Sequence, residues 1–211
     1  MHIPDGFLSP SVWVSMWLIA IVILSYSIMR VNKRLGEKHI PMMGVLAAFI
    51  FAGQMLNMPV AAGTSGHMLG GVLAAIFLGP FTASIVMATV FIVQAVFFQD
   101  GGITALGANM FNMGLIGTIL GYYLYQGIRK AVGGSRGILI GAGIAGWLAI
   151  VLASAACAVE LALSNTSPLN LALPAMVSIH VIIGIIEAVI TVVVVGYVLK
   201  TRPDLLELSK I

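Results

Sequence analysis

Long uninterrupted apolar runs fill this sequence, and only short polar connections separate them. Hydrophobic residues make up 60% and charged residues 8% of the 211 residues, with a mean hydropathy of +1.11. Soluble domains carry roughly one-quarter charged residues, whereas continuous runs of about 20 apolar residues are typical of transmembrane helices. The strand alternation of a membrane β-barrel is absent. We therefore predict an all-α fold, a polytopic membrane helix bundle that forms one integral membrane domain over residues 1–211.

Seven apolar segments can be placed along the chain. Their predicted limits are 11–29, 41–57, 68–78, 82–98, 103–128, 138–163 and 174–199. The third segment is short and rich in glycine. The connections include a glycine-rich loop at 58–67, a polar turn at 164–173 and a terminal tail at 200–211.

The basic residues predict how these segments cross the membrane. All ten lysines and arginines lie in three stretches, 30–38, 129–136 and 200–210. Basic loops face the cytoplasm, so each stretch is predicted to be cytoplasmic. Four apolar segments separate the first stretch from the second, as an even number of crossings requires. The prediction is seven transmembrane helices, with the N-terminus and the loop at 58–67 outside and the tail at 200–211 in the cytoplasm.

Polar residues within the spans cluster toward the external face of this topology. At ~1.5 Å per residue, each lies within roughly 15 Å of the outer end of its helix. Polar side chains in a membrane face the bundle interior or a cavity rather than lipid. The sequence therefore predicts a polar pocket that opens outward, and its candidate residues are Gln54, Asn57, Gln94, Asn109, Asn112 and His180.

The N-terminus can chelate a metal ion by itself. The α-amine of Met1, the deprotonated backbone nitrogen of His2 and the Nδ1 of its imidazole close a five-membered and then a six-membered ring on one cation. Planar nitrogen coordination suits Ni(II) and Cu(II), and low-spin Co(II) tolerates it, whereas Mg(II) and Ca(II) prefer oxygen and Zn(II) prefers a tetrahedron. An ordinary N-terminal loop is the alternative interpretation.

With histidine at position 2, the chelate lacks a fourth donor. Pro4-Asp5-Gly6 predicts a turn that folds the external loop at 1–10 back onto the bundle. His39 adjoins the cytoplasmic basic stretch, whereas His67 ends the external glycine-rich loop and is our preferred fourth ligand. His180 is the competitor, and a merely hydrogen-bonded His67 is the alternative.

A second hypothesis concerns the ionisable residues of the last two spans. Glu160, His180 and Glu187 can serve an ion-coupled secondary transporter. His180 and Glu187 share one helix face, so they form a proton relay, a second metal step or a buried polar pair that holds the last span in place. A non-transporting assembly subunit is a third possibility.

Several other features limit the function. No phosphate-binding loop and no hydrolase or metalloprotease motif occurs, so we expect no enzymatic activity, and uphill transport needs a partner or an ion gradient. Cys157, the single cysteine, excludes an internal disulfide. Small residues at four-residue spacing permit close helix packing or partner docking, and they are Gly44, Ala48 and Ala52 on the second span and Gly114, Gly117 and Gly121 on the fifth.

The chain resembles the NikM/CbiM substrate-binding components of energy-coupling-factor (ECF) nickel and cobalt transporters. Met1-His2-Ile3-Pro4-Asp5-Gly6, Thr64-Ser65-Gly66-His67-Met68 and the span count carry the resemblance. It implies that Ni(II) or Co(II) is the transported substrate, held by four nitrogens from the Met1 amine, the His2 amide, His2 Nδ1 and His67. The residues expected to surround these ligands are Asp5, Gln54, Asn57, Gln94, Asn109 and His180.

The resemblance also implies partners and a location. The expected partners are a transmembrane coupling subunit, cytoplasmic ATPase subunits and a small accessory membrane component. The chain itself is expected to bind no nucleotide and no nucleic acid. We expect a multi-pass protein in the lipid bilayer of a prokaryotic plasma (inner) membrane.

Overall fold

The protein is a helix bundle in its computed structural model, which describes residues 1–32, 36, 39–56, 58–59 and 65–210. The α-helices of these residues are α1 (Pro10–Val31), α2 (His39–Gln54), α3 (Gly71–Leu78), α4 (Pro80–Phe98), α5 (Leu106–Asn109), α6 (Gly121–Val132), α7 (Gly134–Leu163) and α8 (Leu169–Thr201). A π-helical stretch, Met110–Leu120, joins α5 to α6, and a 3₁₀-helix, Pro203–Lys210, ends the described chain. The two-residue strands β1 (Met58–Pro59) and β2 (Ser65–Gly66) pair antiparallel. The prediction of an all-helical protein is confirmed.

Four of these helices are individually long and apolar enough to cross a membrane. They are α1, α4, α7 and α8, and α2 is a shorter apolar helix of 16 residues. The segments α5, the π-helical stretch and α6 follow one another without interruption from 106 to 132. The count of seven spans and the orientation of the termini stay predictions.

Several helices begin or end a few residues away from the predicted span limits. The helices at the predicted third and fifth spans begin at Gly71 and Leu106, about three residues later than predicted, because the preceding backbone N–H groups bind carboxylates of other segments. The last helix begins at Leu169, so the polar turn is shorter than expected. Pro174 lies inside this helix, close to its start, and removes one backbone hydrogen bond.

The short helix α3 lies at the centre of the bundle, and all eight of its residues are buried. Its glycines allow this position. A Cβ atom on Gly71 would lie 2.8 Å from the carbonyl carbon of Gly117, so the two backbones are in contact. Gly121 likewise packs against Val72. The glycines of the predicted fifth span therefore serve internal packing, whereas a Cβ atom on Gly44 of α2 would meet no heavy atom of the described residues within 4 Å outside the backbone of its own helix.

Candidate metal centre

The N-terminal segment is docked into the bundle by its backbone. The N–H of Ile3 donates to Asn109 Oδ1 at 2.8 Å, and the carbonyl oxygen of Ile3 accepts from Asn109 Nδ2 at 3.2 Å and from the N–H of Gly102 at 2.8 Å. Met1 and Ile3 are each only 2% exposed. The predicted folding back of the N-terminus therefore occurs, and Asn109 acts on the backbone of the loop.

Asp5 holds the turn at the other end of this segment. Its carboxylate accepts the N–H groups of Thr104 at 2.7 Å and Ile103 at 3.1 Å, and it also accepts the Thr104 hydroxyl. The Thr104 hydrogen bond lowers the pKa of Asp5, although burial opposes it. A Cβ atom on Gly102 would lie 2.3 Å from the backbone nitrogen of Asp5, so only glycine allows this approach. Asp5 is exposed and positions the segment that carries Met1 and His2.

His2 and His67 meet at the buried end of the segment. His2 Nδ1 lies 3.0 Å from His67 Nε2, and the rings stack with centroids 4.7 Å apart and planes inclined by 27°. Phe91 contacts the His2 ring edge-on at 5.8 Å between centroids. His67 is 1% exposed, and the side chain of His2 is 2% exposed. The two imidazoles chosen from the sequence are thus brought together.

The protons of His67 can be placed from its hydrogen bonds. His67 Nδ1 lies 2.8 Å from the carbonyl oxygen of Met68, which only accepts, so Nδ1 carries the proton. Burial lowers the pKa of His67 well below its ordinary value, and the nearby amino terminus adds to this effect. His67 is therefore neutral at physiological pH, and its Nε2 presents a lone pair to His2.

Burial also favours the neutral forms of the Met1 amine and of His2. Loss of solvation lowers the pKa of the Met1 amine to about 6, while nearby Asp100 opposes the shift. Burial and the adjacent amino terminus lower the pKa of His2 to about 3. Asp100 Oδ1 lies 3.4 Å from His2 Nδ1, so a carboxylate adjoins the nitrogen cluster. Unprotonated nitrogens beside one carboxylate form an environment suited to a divalent cation.

Two buried glutamines and one buried glutamate hold His2 and the loop that follows His67. His2 Nε2 lies 3.1 Å from Gln94 Oε1, Gln94 Nε2 donates to Gln54 Oε1 at 2.9 Å, and Gln54 Nε2 donates to the carbonyl oxygen of Leu69 at 2.8 Å. Glu187 on α8 accepts the N–H groups of Leu69 and Gly70, each at 2.8 Å. The loop that carries His67 is therefore held from α2 and from α8.

The remaining predicted residues have other roles. His180 donates from Nδ1 to the carbonyl oxygen of Met176 on its own helix, and Glu160 accepts from Asn112 at 2.6 Å. No hydrogen bond joins His180 to Glu187 in the described part of the chain. His39 bonds to the backbone of Gly36, at the other end of α2 from Gln54. Asn57 lies outside the described residues.

The donor set explains why side chains alone do not reveal the site. Within residues 1–32, 36, 39–56, 58–59 and 65–210, no group of three or more His, Cys, Asp or Glu side chains is placed to hold a metal. Among these residues the candidate site has two imidazoles, and its other candidate donors are main-chain nitrogens. A cavity of about 20 Å³, enough for one water molecule, adjoins Met1 and His2 and is bordered by Cys157 and Met176.

Sequence reasoning missed Asp100, the glycines at 101 and 102, and the role of Glu187. Asp100 follows the C-terminus of α4, and no motif in the surrounding sequence marks it as a site residue. Gly101 has a φ of +96°, and a Cβ atom there would lie 2.9 Å from Asn109 Nδ2 and 3.2 Å from His2 Cδ2. The consecutive glycines near the polar end of α4 were the one available signal for this close approach.

Known proteins match almost the whole chain. The family model described as "Cobalt uptake substrate-specific transmembrane region" (CbiM) matches residues 2–205. An Archaeoglobus fulgidus protein assigned as the fused nickel transport protein NikMN is 42% identical over 209 residues, which cover 98% of this chain and 68% of that protein. A Methanocaldococcus jannaschii protein assigned to metal transport is also 42% identical, over 97% of this chain and 94% of its own length.

A solved structure agrees with these matches. The crystal structure of a truncated transition metal transporter superposes with a TM-score of 0.88 at 38% sequence identity. The superposition covers 95% of this chain and 99% of the transporter chain.

Proposed function

The chain belongs to the CbiM family of cobalt uptake substrate-specific transmembrane proteins, and from that premise we propose that it binds Ni(II) or Co(II) through Met1, His2 and His67. In this proposal the ion then crosses the membrane, and the chain acts as the substrate-specific subunit of an ATP-driven uptake transporter of the ECF class. The observation that carries the proposal is the 3.0 Å approach of His2 Nδ1 to His67 Nε2 beside the buried amino terminus.

This distance suits neighbouring corners of a planar site. In the terminal chelate, the His2 amide nitrogen lies between the Met1 amine and His2 Nδ1, so the fourth donor is adjacent to Nδ1. Two donors at adjacent corners of a square, each about 2.0 Å from the ion, lie about 2.8 Å apart. The observed 3.0 Å needs only a small adjustment. His67 therefore has the distance expected of the fourth ligand.

The charges also support a divalent cation at this place. A divalent ion that displaces the His2 amide proton leaves one net positive charge among the four nitrogens. Buried charges are costly unless they are paired. The Asp100 carboxylate, 3.4 Å from His2 Nδ1, can offset that charge. A planar nickel or cobalt complex beside Asp100 is thus close to electrically neutral.

The energy for uptake is proposed to come from other subunits. The sequence has no phosphate-binding loop. We therefore assign ATP hydrolysis to cytoplasmic ATPase subunits, which act through a transmembrane coupling subunit, with a small accessory membrane component as a further partner. The location proposed is the plasma (inner) membrane of a prokaryote, with the metal site facing outward.

The ion-coupled alternative has weaker support. Glu187 is used to hold the backbone at Leu69 and Gly70, and Glu160 is used to bind Asn112. His180 bonds within its own helix. These contacts favour three separate structural roles over one ion pathway.

Binding and accumulation separate the two functions. The purified chain should bind nickel without any partner, and the bound planar nickel should be diamagnetic. Cells that express the chain alone should not accumulate nickel, whereas cells that also express active ATPase and coupling subunits should. Accumulation by the chain alone, abolished by an ionophore, would support the ion-coupled alternative instead.

A further inference from the structure

Three hydrogen bonds connect His2 to the backbone of the loop that carries His67. They run from Leu69 through Gln54 on α2 and Gln94 on α4. The side chains of His2, Gln54 and Gln94 are buried, and both glutamines are 0% exposed. Buried polar groups of this kind are expected to have every partner satisfied.

The Leu69 carbonyl determines which atom donates and which accepts in each of these hydrogen bonds. The carbonyl oxygen of Leu69 only accepts, so the amide nitrogen of Gln54 must face it. Gln54 Oε1 then requires a donor, which is Gln94 Nε2. Gln94 consequently turns its oxygen toward His2 Nε2, and that nitrogen must donate. One backbone carbonyl therefore decides where the proton of His2 lies.

We propose that Gln54 and Gln94 are positioning residues that hold His2 in the tautomer with its proton on Nε2, so that Nδ1 is free to bind the metal. The proposal rests on the proposed function, because the benefit of this tautomer is chelation by the N-terminus. We refer to the two glutamines with the Leu69 carbonyl as the tautomer relay.

The choice of nitrogen matters because only one can chelate. Nδ1 closes a six-membered ring with the backbone nitrogen of its own residue, whereas Nε2 points away from the backbone and cannot do so. A proton on Nδ1 would have to be displaced before the metal could bind. Outer hydrogen-bond partners that orient a ligating histidine typically contribute 10–100-fold in metal affinity, a rough range for what the relay supplies.

Without the relay, the surroundings of His2 would favour the other tautomer. A proton on Nδ1 would have two acceptors, His67 Nε2 at 3.0 Å and Asp100 Oδ1 at 3.4 Å. His67 cannot donate in return, because its own proton lies on Nδ1, bound to the Met68 carbonyl. The tautomer relay opposes this outcome and leaves the lone pairs of His2 Nδ1 and His67 Nε2 facing each other. A bound divalent cation replaces that unfavourable contact with two coordination bonds.

The relay also couples the two metal-binding segments. Its anchor, Leu69, lies two residues after His67, and the N–H of the same residue binds Glu187. The loop that aims His67 and the bond that orients His2 therefore depend on one peptide segment. A displaced loop would disturb both imidazoles together.

The tautomer can be observed directly in the metal-free protein. Long-range ¹H–¹⁵N correlation spectra of chelator-treated, ¹⁵N-histidine-labelled protein at pH 7 should show His2 protonated at Nε2 and His67 protonated at Nδ1, with His2 assigned by a His2→Gln variant. A His2 signal protonated at Nδ1 would overturn the proposal. This measurement needs no relay variant, and it does not depend on whether nickel binds.

Substitutions in the relay test its cause. Gln94→Leu removes the acceptor, so the proton should move to Nδ1, and nickel affinity should fall roughly 10–100-fold. Gln94→Glu retains an acceptor oxygen and should keep the Nε2–H tautomer. Gln126→Leu, in a glutamine that bonds to Tyr122 on the same helix, should change neither property. An unchanged His2 tautomer in Gln94→Leu, with nickel affinity within twofold of wild type, would overturn the relay.

The outcomes also distinguish the relay from the proposed function. If His2 has the predicted tautomer but an N-terminal extension leaves nickel affinity unchanged, the terminal metal site is wrong and the relay stands. If the extension abolishes binding but His2 is protonated at Nδ1, the metal site stands and the relay is wrong.

Discussion

Asn109 binds Ile3 through both polar groups of its side chain. Its Oδ1 accepts the N–H of Ile3 at 2.8 Å, and its Nδ2 donates to the carbonyl oxygen of Ile3 at 3.2 Å. One side chain on α5 thereby replaces the backbone partners that a strand would provide. The next residue toward the N-terminus is His2, so this pairing sets the depth at which Met1 and His2 lie in the bundle.

Asn109→Ala should weaken nickel binding without unfolding the protein. The substitution leaves the buried N–H of Ile3 without its acceptor, and the terminal segment then loses its position. We expect the Kd for nickel to rise about 10–100-fold, as for other outer partners of metal ligands. Calorimetry on the purified protein measures this Kd. The control is Asn170→Ala, which replaces an exposed asparagine at the start of α8. Equal affinities of the two variants would contradict the docking role.

A free and correctly spaced N-terminus should be indispensable. The Met1 amine is the first proposed donor, and chelation by it and by His2 Nδ1 is what allows the His2 amide to lose its proton. A tag, a retained formyl group or one residue inserted before His2 should abolish tight binding. The same tag placed after Ile211 should be harmless. Calorimetric titration of the two tagged proteins decides the point, because equal nickel affinities would exclude the terminal chelate.

His67→Ala and His180→Ala should have different effects. His67 faces His2 at 3.0 Å, so its loss removes a proposed ligand and should lower nickel affinity by roughly a hundredfold or more, beyond the effect of outer partners. His180 bonds only to Met176 among the described residues, so its loss should reduce thermal stability more than affinity. Radioactive nickel binding and thermal unfolding of both variants give the comparison. Loss of binding in the His180 variant alone would reverse the ligand assignment.

Nickel binding should weaken as the pH falls, and few protons should be released near neutrality. Because burial lowers the pKa of the Met1 amine to about 6, that amine is already neutral at pH 7. Binding there should release about one proton, from the His2 amide, whereas a solvated terminus with a pKa of about 8 would release about two. Below pH 6 the number of protons released on binding should rise toward two, so the nickel affinity should fall more steeply with decreasing pH. Calorimetry at pH 7 in buffers of different ionisation enthalpy measures the count, and a value of two would contradict the buried amine.

The same pKa shift affects the stability of the metal-free protein. The unfolded amine takes up a proton below a pH of about 8, whereas the folded amine takes it up only near pH 6. The unfolded state therefore binds more protons between these values, and the free energy of unfolding should decrease as the pH falls through this window. An amino-terminally acetylated protein has no such group and serves as the control.

The predicted orientation can be tested by thiol labelling. A cysteine introduced at Ser167, in the connection between α7 and α8, should react with an impermeant reagent outside the cell, and one at Ser135, near the start of α7, should not. Cys157 is buried, with 2% of its surface exposed, and should give little background. Labelling at Ser135 but not at Ser167 would reverse the topology and remove the external metal site.

The sequence was sufficient for the kind of fold and for the candidate ligands. Apolar runs specify membrane helices because only a helix satisfies its backbone groups within lipid. Met1 and His2 are recognisable as a chelate because their donors are adjacent in the covalent chain. His67 was preferred because His39 adjoins a basic stretch and His67 ends a glycine-rich segment, and His180 stayed the competitor.

Only the tertiary structure decided how those ligands are held. The contacts of Asn109 with Ile3, of Glu187 with Leu69 and of Gln54 with Gln94 join residues 40 to 118 positions apart, and no local pattern predicts such pairs. Asp100 is next to His2 because the glycines at 101 and 102 admit the terminal segment. The spacing of the candidate donors in Met1 and His2 is determined by covalent geometry. The position of the proton on His2 and the neutral state of the Met1 amine result instead from burial and hydrogen bonding, which exist only in the folded bundle.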